Sequence, residues 1–81
     1  MSQTFPIERL YAVMGEVFGL RDFALQPHMS AADVPGWDSL HHAVLIMRLE
    51  AETGLDLSGV ETADLPDIAA LHGAIVQRLA G

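Results

Sequence analysis

Residues 36–50 read GWDSLHHAVLIMRLE, and the way this segment folds decides the architecture of the 81-residue chain. Asp38 is a good helix N-cap and Gly54 a good stop, so a helix is predicted over Ser39–Thr53. On a wheel of about 100° per residue, Leu40, Ala43, Val44 and Met47 fall within about 60° of Leu40. His42, Leu45, Ile46 and Leu49 fall on the opposite side, roughly between 140° and 240°. A surface helix of a small bundle normally has one apolar stripe. This one has two, and a domain of this size can bury only one of them well.

The remainder of the chain supplies the core for one of those stripes. Ile7, Leu10, Met14 and Val17 recur at helical spacing, with Pro6 in the opening turn and Gly19 as a stop. A last helix runs from Ile68 through Leu71, Ile75 and Leu79, with Asp67 as N-cap and Gly81 beyond its end. Between Gly19 and Asp38 lies a long connection holding Pro27, Pro35 and Gly36, expected to be irregular and anchored by Leu25, Met29 and Val34. A short helical turn is expected near Thr62–Leu65, ended by Pro66. The fold expected is therefore all-α: a small four-helix bundle of three main helices and one short one, with a long first loop, forming a single domain over residues 1–81. The Leu45/Leu49 side continues the pattern of the other helices and is assigned to the core. That leaves Leu40, Ala43, Val44 and Met47, edged by Glu50, as an exposed apolar patch, the usual mark of a binding site. Cover by the Thr62–Leu65 segment or by the long loop is the alternative.

Composition narrows the function. With no cysteine, neither a disulfide nor a thiolate metal site is possible, which fits a reducing cytoplasm. The apolar run Ala43–Met47 is far too short to span a bilayer, and no signal peptide precedes Ile7. Eleven acids against Arg9, Arg21, Arg48 and Arg78, with no lysine, give a net charge of −7. Such a surface disfavours nucleic acid and favours partners with basic patches.

Ser39 is the chemical handle. A serine in the first helical position presents its hydroxyl where free backbone N–H groups and the helix dipole favour an anion. The Asp38-Ser39-Leu40 opening, followed by LIMRLEAETGLDL, resembles the acyl and peptidyl carrier protein family over nearly the whole chain. The resemblance implies that Ser39, flanked by Asp38 and Leu40, carries a 4′-phosphopantetheine arm. A phosphopantetheinyl transferase would attach that arm from coenzyme A with Mg²⁺. Its thiol would hold an acyl or aminoacyl group loaded by an adenylating enzyme and passed to a downstream transferase or synthase. The carrier itself would catalyse nothing and would be a monomer. The helix after the serine would be the docking helix, through Leu40, Ala43, Val44, Met47 and Glu50, with Trp37 and Asp64 as further contacts. Trp37 and the His41-His42 pair make the sequence more similar to carriers of specialised or aminoacyl pathways than to those of bulk fatty-acid synthesis. The start at Met1 suggests a free-standing protein, a piece of a larger synthase being the alternative.

Ser39, His42 and Asp38 could be drawn as a hydrolytic triad, but no nucleophile elbow is evident. His42 is expected on the core side, bonded to loop backbone, and His41 in solvent. The two diverge by about 100° and form no metal pair, and His28 and His72 stand at no ligand spacing. Trp37 reads as a cap over the loop–helix junction, or else as a partner contact. Arg48 is expected to point to solvent, with contact to an acidic spot as the alternative, and Glu50, Glu52, Asp56, Glu61 and Asp64 form an acidic face. The remaining competitor is a helical interaction module without a prosthetic group, binding a partner through the Leu40/Ala43/Val44/Met47 face.

Overall fold

The structure, a computed structural model, describes residues 4–58 and 62–80. It is all-helical, with three α-helices and no strand among the described residues: α1 (Ile7–Phe18), α2 (Ser39–Thr53) and α3 (Ile68–Ala80). The fourth segment is a single 3₁₀ turn, Thr62–Asp64, closed by the Leu65 N–H donating to the Thr62 carbonyl at 3.3 Å. Pro66 follows at once and cannot continue the ladder. No described helix is long and apolar enough to cross a membrane.

Local chemistry sets each boundary. Pro6 enters α1 from an extended conformation, and Gly19 leaves it at φ 67°, a left-handed cap that glycine adopts without steric cost. The Asp38 carboxylate accepts from the His41 N–H at 2.8 Å and so caps α2. The N-terminus of α3 is satisfied donor by donor. Ile68 N–H donates to the Met29 carbonyl and Ala69 N–H to the Pro27 carbonyl, each at 2.9 Å. Ala70 N–H donates to Asp67 Oδ1 and Leu71 N–H to the Asp67 carbonyl. Two of the four donors that a helix start leaves unpaired are thus met by the long loop, which ties it to α3.

The core draws on every element. Leu10, Val13 and Met14 come from α1, Leu45 and Leu49 from α2, and Ile68, Leu71 and Ile75 from α3. Phe5, Val34 and Leu57 enter from the connecting segments. Leu25 and Met29 pack against this core while partly exposed, as do Ile7, Val17 and Leu79 at the helix ends. Val13, outside the i, i+3, i+7 series read from α1, is 1% exposed. A stripe only one residue wide does not describe a helix wedged between two neighbours.

Two contacts correct expectations about the charged residues. Arg48 is half-buried and reaches back to Glu16 on α1 (3.3 Å) instead of pointing to solvent. Arg9 pairs with Glu52, so both ion pairs join α1 to α2. Gly36, at φ 82°, lets the loop close on α1: a Cβ there would sit 3.3 Å from the Phe18 carbonyl oxygen.

The two faces of α2 should separate in denaturation. Leu49→Ala should lose about 2–5 kcal/mol in urea unfolding, the usual cost of truncating an enclosed leucine. Met47→Ala should stay within about 1 kcal/mol of the parent. Equal losses would mean that α2 is rotated from the orientation described.

Candidate functional site

Ser39 is the first residue of α2 and is exposed. Among the described residues its hydroxyl has no hydrogen-bond partner. Two of the neighbouring donors are already engaged, however. The Asp38 carboxylate takes the His41 N–H and the Asp38 carbonyl takes the His42 N–H. The Asp38 carboxyl is held below its ordinary value, first by the His41 backbone N–H and then by the His41 ring. It is therefore ionised at neutral pH. A helix start expected to welcome an added anion already holds a carboxylate.

The histidines depart from expectation. His41 is half-buried instead of solvated: its Nδ1 lies 2.8 Å from Asp38 Oδ1 and its ring meets Phe18 edge-on. An ionised carboxylate can only accept, so Nδ1 is the protonated nitrogen. His42 is half-buried on the core side, but its partners are side chains and not loop backbone. Trp37 Nε1–H donates to His42 Nδ1 at 3.0 Å, and His42 Nε2 faces Thr62 Oγ1 at 3.0 Å. The indole is a donor only, so Nδ1 must be bare and Nε2 carries the proton, which it donates to Thr62. Burial lowers the His42 pKa, in keeping with a neutral ring. The Trp37 and His42 rings lie within 13° of a common plane with centroids 6.2 Å apart, meeting edge to edge through their hydrogen bond. Phe18 stacks on Trp37 at 5.8 Å and 26°. Trp37 is therefore a half-buried cap over the loop–helix junction.

These groups enclose a cleft of about 340 Å³ that opens beside Ser39. Its polar lining is Asp38, Ser39, His42 and Thr62; Trp37, Ala31 and Leu65 supply the apolar part. Next to it on α2 stand Leu40, 72% exposed, Met47, 68%, and Val44, 41%, with Ala43 also exposed. Neither the 3₁₀ turn nor the long loop covers them. The serine and the cleft mouth thus lie at the start of α2, and the apolar patch runs from there to mid-helix.

The acidic residues divide. Asp64 is exposed on the 3₁₀ turn. Glu50 does not simply edge the patch: half-buried, it accepts from the Leu57 N–H at 2.8 Å and pins the segment after α2. Glu52 is taken by Arg9. Asp56 accepts from the Ser58 hydroxyl and N–H, which lower its pKa, and Arg78 adds to the effect. Glu61 lies outside the described residues.

This wiring speaks against hydrolysis. Both His42 nitrogens and His41 Nδ1 are committed to groups other than Ser39. No set of three or more His, Cys, Asp or Glu suited to a metal occurs among the described residues. Comparisons with protein-family models, with curated proteins and with solved structures give no match to this chain. The Trp37–His42–Thr62 chain was not legible from sequence, because His42 and Thr62 stand 20 positions apart with no periodic pattern linking them.

Glu50→Gln should lower stability by about 1 kcal/mol in chemical denaturation, the scale of one charge-assisted hydrogen bond at a half-exposed site. Glu50→Lys should cost more and expose the backbone amide of Leu57 to hydrogen exchange. Unchanged Leu57 protection in both variants would remove Glu50 from its role as a clamp.

Proposed function

We propose that the protein is a carrier of the acyl or peptidyl carrier type, modified at Ser39 by a 4′-phosphopantetheine arm that holds an acyl or aminoacyl group as a thioester. The observation that carries the reading is the juxtaposition of an exposed Ser39 at the start of α2 with the uncovered Leu40, Val44 and Met47. A modifying enzyme needs both: a reachable hydroxyl and an apolar surface to seat on. The reading completes the fold as a four-helix bundle, with the Thr62–Asp64 turn as its short third helix, and places the carrier, as a monomer, in the cytoplasm.

The residues fit the group. Ser39 Oγ is open to solvent, and the cleft beside it has an amide-compatible polar group in the Thr62 hydroxyl, which can still donate, and apolar walls at Ala31 and Leu65. When attached, the arm supplies the thiol that this cysteine-free chain lacks. In the attachment step a phosphopantetheinyl transferase with Mg²⁺ breaks the pyrophosphate bond of coenzyme A. A P–O bond forms to Ser39 Oγ, 3′,5′-ADP leaves, and the serine proton passes to a base on the transferase. The chain contributes position and docking surface. Leu40, Ala43, Val44 and Met47 meet the transferase, the adenylating loading enzyme and the downstream acyl-accepting enzyme in turn. Asp64 and the acidic balance of −7 meet their basic rims.

Incubation with coenzyme A, Mg²⁺ and a promiscuous phosphopantetheinyl transferase should raise the intact mass by one phosphopantetheine. Ser39→Ala should abolish the gain while keeping helical circular dichroism. No gain in the parent, with α2 intact, would favour the interaction module without a prosthetic group. Opposite charge mainly raises encounter rates and is screened over about 8 Å near 0.15 M salt. The transferase kcat/KM should therefore fall as salt rises, with kcat changing less. Salt-independent kinetics would leave apolar contact as the sole basis of recognition.

A further inference from the structure

We propose that His42 is a proton-sensitive latch on the cleft beside Ser39, holding the Trp37 loop and the Thr62–Asp64 turn together only while its ring is neutral. The latch has one part in each of three segments: Trp37 from the loop before α2, His42 from α2 itself and Thr62 from the 3₁₀ turn. All three line the cleft, so the two hydrogen bonds through one imidazole set how far apart its walls stand.

The chemistry admits one working state. Trp37 Nε1–H can only donate, so it needs a bare Nδ1. A proton on Nδ1 would place two N–H groups head to head at 3.0 Å. The Trp37 bond must then break, whereas the Thr62 bond, donated from Nε2, can persist. Opening is thus one-sided: the indole and its loop swing free while the 3₁₀ turn stays on α2.

Among the described residues, nothing facing the ring would hold the proton in place. From α2, the Asp38 carboxylate is taken up by His41, and His41 points to Asp38 and Phe18. The 3₁₀ turn offers Asp64, which is exposed, and α1 presents Phe18, which is uncharged. Burial is the cause of the lowered His42 pKa. In the folded protein His42 therefore binds its proton more weakly than in the unfolded chain, where the ordinary value is 6.5. The stability it contributes is full above that value and is lost as pH falls towards the folded pKa, so the latch opens on acidification.

Trp37 is the only tryptophan, so its indole resonance and fluorescence report the latch directly. The full chain should be titrated from about pH 8 to about pH 5, the range in which histidine charges. The indole Nε1–H resonance should move upfield, and fluorescence should change with it, at a midpoint below 6.5, while helical circular dichroism holds. The His42 ring resonances should titrate with the same midpoint, which assigns the event without any variant. His42→Asn, whose Oδ1 can accept from the indole but does not titrate, should abolish the transition. Thr62→Val should leave the indole bond in place near pH 8. An indole resonance that does not change over this range, a transition that persists in His42→Asn, or a simultaneous loss of helix would each overturn the latch. These readouts use the unmodified protein, so they stand or fall apart from any result at Ser39.

Discussion

The enclosure of Leu45 and Leu49 is the constraint on which the rest depends. Both are fully buried in the core they share with residues of α1 and α3, and together they leave α2 one rotation about its own axis. Turning the helix to bury Leu40 and Met47 would lift two leucines into water, at about 1.5–3 kcal/mol each. Because the two apolar stripes are on opposite sides, satisfying one displays the other. The exposed patch follows from the packing of the core.

The same rotation sets the positions of the polar groups. It points Ser39 outward at the first turn and carries His42 towards the loop and the 3₁₀ turn, where it meets Trp37 and Thr62. Asp38 ends the extended stretch and starts the helix, and its carboxylate also orients His41. The long loop is held by its own anchors: Val34 in the core, Gly36 against Phe18, and the Pro27 and Met29 carbonyls on the start of α3. An irregular connection of this length stays ordered because its backbone groups stand in for the missing turn of α3. The cleft beside Ser39 is the space left where these anchored pieces meet α2.

Much of this was legible in the sequence. The three helices end where Gly19, Asp38, Gly54 and Asp67 mark them, because caps act within a few residues of where they are read. The two faces of α2 were legible because a wheel needs only spacing. Side-chain partners were less so. Arg48, Glu50, His41 and His42 lie on the expected helix, but their partners Glu16, Leu57, Phe18 and Thr62 are set by tertiary geometry. Long polar side chains reach several ångströms, and a wheel angle does not say what waits at the end of that reach.

The orientation of α2 is open to direct measurement, since the chain has no cysteine of its own. Single cysteines placed in turn along Ser39–Thr53 can be labelled under native conditions with a thiol reagent and their rates compared. The account predicts a helical period, with positions 39, 40, 43, 44 and 47 labelled fast and positions 45 and 49 protected. Fast labelling at 45 and 49 with protection at 40 and 47 would contradict it.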